Sequence, residues 1–148
     1  MAPAVPPLVS SPELVEAELF LRRMSTSDGR WSGRNKAVTV TARGGRGTVD
    51  CIVKMRAGLE NPSMAPLPYL CEWLAAALAH HLGVRAAAPY EVIITREFAE
   101  SIDDLAVKTI ALSSLGSTFG SGFVGAPFTQ LTADLPSAGT PRLLLNFV

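Results

Sequence analysis

The sequence predicts an α+β domain: a small antiparallel sheet with one long packed helix. Two stretches of alternating apolar and polar residues, 37–42 and 48–55, supply the sheet. The run YLCEWLAAALAHHLG at 69–83 supplies the helix, because its apolar residues recur at three- and four-residue spacing. With 148 residues, 48% of them hydrophobic and 18% charged, the chain is long enough to bury a core and far from a disordered composition.

Residues 1–12 (MAPAVPPLVSSP) hold four prolines and read as an extended lead-in. Ser11, Pro12 and the acids Glu13, Glu16 and Glu18 resemble a helix start, with a cap, a first-turn proline and negative charge near the positive dipole end. Leu14, Val15, Leu19 and Leu21 then suggest a short helix that ends before the loop STSDG at 25–29.

AVTVTA at 37–42 places Val38 and Val40 on one face. TVDCIVKM at 48–55 places Val49, Cys51, Val53 and Met55 on one face and Asp50, Ile52 and Lys54 on the other. RGGRG at 43–47 supplies the glycines for a tight connection, so the pair is a β-hairpin.

After a proline-rich loop at 57–68, the 69–83 helix carries Leu70, Trp73, Leu74, Ala77, Leu78 and His81 on an apolar stripe, with Gly83 where a C-terminal cap belongs. PYEVIITRE at 89–97 reads as a strand, and 98–112 has room for another short helix. SSLGSTFGSGFVGAPFT at 113–129 reads as a loop pinned by Phe119, Phe123 and Phe128. The closing LLLNFV is an apolar run that expects cover from a partner chain or a second lobe. The domain therefore runs from 13 to 130, and 131–148 is expected to be the start of a second lobe, cut short.

Thirteen basic and thirteen acidic residues give no net charge, which argues against a broad nucleic-acid-binding face. Basic side chains do crowd between Arg22 and Arg56, where Asp28 and Asp50 are the only acids, so a local anion site is compatible with the sequence. Cys51 and Cys71 form no CxxC pair and are expected to be buried free thiols. Reduced thiols, no apolar run near 20 residues and no leader pattern point to the cytoplasm and to no membrane association.

His80 and His81 are adjacent on the helix, so they diverge by about 100° and do not form an ordinary metal pair. His81 is expected in the core and His80 at the surface. No HExxH, P-loop or GxSxG motif is present, and no catalytic or metal-binding residue is assigned. The glycines of RGGRG suit either a phosphate cradle or plain turn chemistry, and the turn is favoured. The FGSGFVG segment from Phe119 to Gly125 suits a pocket lining or a pinned loop, and the loop is favoured. Lys54 lies beside Ile52 on the less apolar strand face. It is either a solvated lysine or one that reaches for an anion.

The order of these pieces resembles the N-terminal lobe of HipA-like kinases. The likeness rests on SGRNKAVTVTA (32–42), CIVKM (51–55) and YLCEWLAAALAHHLGVRAAAPYEVII (69–94), and FGSGFV (119–124) is similar to a segment of one branch of that family. The resemblance implies a kinase N-lobe fold and ATP as the cofactor. It makes Lys54 the strand lysine that meets the α- and β-phosphates and Glu72 the helix acid that orients it. It also sets Ser32, Gly33, Arg34, Asn35 and Lys36 near the phosphate-covering loop.

On the helix, Glu72 lies roughly opposite the leucine stripe, which suits an exposed glutamate equally well. Cys71 stands where the family has asparagine. The aspartates and asparagine that orient the acceptor and hold magnesium belong to the family's other lobe, so catalysis by this chain alone is not expected. The alternative is a non-catalytic interaction module that docks through its apolar C-terminal end.

Overall fold

The computed structural model describes residues 11–123, apart from the side chain of Pro66. Five strands close into a barrel in the order β1 (Glu13–Arg23), β2 (Val38–Gly44), β3 (Gly47–Lys54), β5 (Gly116–Gly122), β4 (Pro89–Ile94). Neighbours are antiparallel except at the closing seam, where β1 and β4 run parallel with Glu13 opposite Tyr90 and Glu16 opposite Ile93. The described residues also hold three α-helices, α1 (Pro66–His81), α2 (Arg96–Ser101) and α3 (Leu105–Leu112), and two 3-10 turns, Arg56–Gly58 and Pro62–Met64.

The β2–β3 hairpin follows from its sequence. Val38, Val40 and Ala42 from β2 and Cys51 and Val53 from β3 point into the barrel and are fully buried. The chain turns through Gly45 and Arg46, and Gly47 takes φ +114°, a conformation that side-chain-bearing residues rarely adopt.

The closed barrel overturns the small open sheet with one long packed helix expected for a kinase N-lobe. Two strands account for the difference. Residues 13–23 form β1 instead of a helix. Val15 and Ala17 are the buried positions of a two-residue alternation, while Leu14, Leu19 and Leu21, which mimicked a helical period, are exposed on the outer surface. Pairing irregularities between Ala17 and Leu19 and between Phe20 and Arg22 let the strand curl around the barrel.

The glycine-rich segment expected to be a loop contains β5. Gly120 faces inward because the barrel is narrow: a Cβ there would stand 2.6 Å from Val92 Cγ2. Gly120 makes room for packing inside a strand, where a loop pinned by phenylalanines had been expected. Phe128 and the LLLNFV run at 143–148 lie outside the described residues, as do residues 1–10 of the expected 1–12 lead-in and the expected second-lobe segment at 131–148.

The core is one cluster inside the barrel, continued by Phe98, Ala99 and Ile102 and by Val107, Ile110 and Ala111, which close one end. Both short helices are capped by side chains. Thr95 Oγ1 accepts from Phe98 N at 3.2 Å, and Asp104 Oδ1 accepts from Ala106 N at 3.0 Å and Val107 N at 3.2 Å. No helix among the described residues is long and apolar enough to cross a membrane.

Helix α1 appears where its periodicity places it, with Gly83 at φ +70° just past its end. Its orientation is the reverse of the expected one. Leu70, Leu74, Leu78 and His81 face outward and are exposed. Tyr69, Glu72, Trp73 and Ala76 lie on the opposite side of the helix and are partly buried. Cys71 is likewise exposed, while Cys51 is buried as a free thiol.

Candidate functional site

The reversed helix brings the sequence-selected lysine and glutamate together. Lys54 is the last residue of β3 and projects from the outer surface of the barrel, since Cys51 and Val53 take the inner positions. Its Nζ donates to Glu72 Oε1 across 18 residues of sequence. The Lys54 side chain is only 14% exposed and that of Glu72 is 37%, so water screens this pair less than an ordinary surface pair.

A second contact pins the same helix turn. The Thr118 hydroxyl donates to the Lys54 carbonyl at 2.7 Å and meets the Tyr69 hydroxyl at 3.0 Å. Tyr69 and Glu72 are three residues apart and share one face of α1. Burial pushes the Tyr69 phenol above its ordinary pKa, partly offset by its hydrogen bond with Thr118. The helix is therefore fixed to the barrel by two polar contacts, one to β3 and one to β5.

The outer surface beside Lys54 is mixed. Phe119 stands opposite Lys54 in the β3–β5 register and Ser121 stands opposite Ile52. Farther along the pair of strands, where Phe123 N donates to Asp50 O at 2.7 Å, Arg22 lies over the ring of Phe123 at 5.8 Å from its centroid. A partly buried cation next to apolar and hydroxyl side chains can hold a phosphate oxygen, with Glu72 limiting where the ammonium points.

The residues expected near the phosphate-covering loop have a different set of contacts. They belong to the connection between β1 and β2, at the barrel end where β3 finishes. Ser32 N donates to Met24 O at 2.8 Å, and Gly33 takes φ +88° in open space. Arg34 pairs with Glu60 at 3.6 Å, Asn35 Oδ1 accepts from Glu60 N at 3.1 Å, and Lys36 N donates to Gly58 O at 2.8 Å. These bonds tie the turn to the segment just after Lys54, and none of them reaches the Lys54–Glu72 pair.

The basic 22–56 stretch is largely neutralised. Arg23, Arg30, Arg34, Arg43 and Arg46 each face an acid, namely Asp104, Asp28, Glu60, Glu18 and Glu13. At the hairpin end, a recess of about 240 Å³ is lined by residues including Glu13, Arg46 and Tyr90, remote from Lys54 along β3. No group of three His, Cys, Asp or Glu side chains suited to a metal occurs among the described residues.

Tyr69 and Thr118 were not anticipated from sequence. The only available signal was the i, i+3 relation of Tyr69 to Glu72, which is meaningful once Glu72 is known to face the barrel. Comparison with known proteins finds no matching family model, curated protein or solved structure.

Proposed function

We propose that this chain is the ATP-binding lobe of a HipA-like serine/threonine-type protein kinase, with Lys54 as the phosphate-binding cation. The observation that carries this reading is the Lys54–Glu72 ion pair between a strand end and a helix. In phosphoryl-transfer sites of this kind a strand lysine engages the nucleotide phosphates and a helix glutamate holds it in place. Glu72 is equally suited to solvent when read on a helical wheel, and its ion pair with Lys54 supports the orienting role. Transfer also requires an acceptor-orienting aspartate and metal-holding side chains. The proposal for this chain is nucleotide binding.

Titration with ATP and magnesium tests it on the wild type, Lys54→Ala and Glu72→Gln. Lys54→Ala should weaken binding about tenfold or more, and Glu72→Gln less, because it loosens the ammonium without removing it. Equal weak heats from all three chains would take Lys54 out of the site.

A second reading, a non-catalytic interaction module, draws support from the exposed leucines of α1. It would stand if the wild type binds no nucleotide.

A further inference from the structure

Leu67, Leu70, Leu74 and Leu78 of α1, with Leu82 at its cap, are 49, 44, 49, 55 and 65% exposed. At 100° per residue they fall within an arc of about 120°, and Cys71 lies inside the same arc. The arc is continuous, apolar along the helix and free of acidic or basic residues until His81. It points away from the Lys54–Glu72 pair.

Such a patch measures on the order of 400 Å², about half of the ~800 Å² per partner that a stable two-chain interface buries. A second copy is therefore a poor match in area. A segment of the same chain needs much less, because tethering supplies an effective concentration of about millimolar.

Residues 124–148 have the required composition: Phe128, Leu131, Leu135, Leu143, Leu144, Leu145 and Phe147, with Asp134 and Arg142 as the only charged side chains. They also start in the right place. Phe123 follows β5 directly, and β5 is the strand to which Tyr69 anchors α1. The nineteen residues from 124 to 142 reach up to roughly 60 Å, well beyond the ~24 Å length of the helix.

We propose that the LLLNFV run at 143–148 of this same chain packs over the Leu67–Leu82 face of α1. The exposed leucines of α1 would then be covered by side chains of matching apolarity. The proposal is independent of nucleotide binding, since neither Lys54 nor Glu72 contributes to this surface.

Cys71 is a built-in reporter, and Cys51 an internal control. Labelling of the purified full chain with a disulfide-exchange reagent should modify Cys71 at least tenfold more slowly than in a chain carrying L143D, L144D and L145D, with both chains monomeric on a sizing column. Cys51 should stay unmodified in both, which reports that the variant is folded. If the triple variant does not fold, Leu78→Asp on the helix should release Cys71 to the same fast rate. Equally fast labelling of wild type and variant would overturn the proposal. So would protection that disappears on dilution together with a dimer peak, which would assign the face to a second copy.

Discussion

Val38, Val40, Val53 and Val92 are completely shielded inside the barrel, whereas the leucines of α1 are about half exposed on a helix of comparable apolarity. Both regions carry regular apolar patterns, two-residue in the strands and near 3.6-residue in the helix. In the barrel the pattern marks the packed face. In α1 it marks the outer face, and the packed face is held by Tyr69 and Glu72. Periodicity reveals that two faces differ. It does not say which one meets the domain.

Substitution at one site in each region should separate them most clearly. Ile94 is 1% exposed, and Ile94→Ala should cost about 3 kcal/mol in denaturant unfolding, from lost burial plus a residual cavity. Leu74→Ala should cost no more than about 1 kcal/mol, and that cost should vanish in the L143D/L144D/L145D background. A large effect at Leu74 that persists in that background would show that α1 packs its leucines against the barrel after all.

Overfilling should be felt only inside. Gly120→Ala would set a methyl 2.6 Å from Val92 Cγ2, and a destabilisation of about 1–3 kcal/mol is expected by thermal or denaturant unfolding. An unchanged midpoint would mean that β5 shifts to accommodate the methyl, and that the interior is wider than the register implies.

The narrowest effect, confined to alkaline pH, concerns the Cys51 thiol. Burial, with a lesser contribution from Asp50, pushes the Cys51 thiol up to about 11 from 9.0. Between those values the unfolded chain loses the Cys51 proton and the folded chain keeps it. The stabilising contribution is thus complete below pH 9 and is lost as pH rises toward 11. Wild type should lose stability across this window more steeply than Cys51→Ala, as read from unfolding at stepped pH; parallel curves would remove Cys51 as the cause.

Single elements were legible from local chemistry, but the closed barrel was not. The hairpin declared itself through Val38, Val40, Cys51 and Val53 with glycines between them, and α1 through its period and Gly83. Strand β1 was obscured because Leu14, Leu19 and Leu21 decorate an outer surface and Ser11–Pro12–Glu13 imitates a helix cap. Strand β5 was obscured because a narrow barrel requires glycine at inward positions, which reads as a loop. Closure itself depends on pairing Glu13–Glu16 with Tyr90–Ile93, and no local pattern encodes that register.

At the candidate site, Lys54 was visible as a cation within an apolar strand. Its relation to Glu72 could be named only through family likeness, since the leucine stripe pointed the wrong way. The Ser32–Lys36 turn was set near the phosphates only through the same likeness, and its bonds lead instead to Gly58 and Glu60.

The parallel seam also orders events in time. The β2–β3 hairpin closes over a two-residue connection and can form as soon as residue 54 is available. The β1–β4 ladder joins positions more than seventy residues apart, and the long loop between them must be drawn in before any seam contact is made. During synthesis β1 therefore waits, with one edge unpaired, until β4 has emerged. Its charged Glu16 and Glu18, alternating with the buried positions, discourage that edge from pairing with another chain in the interval.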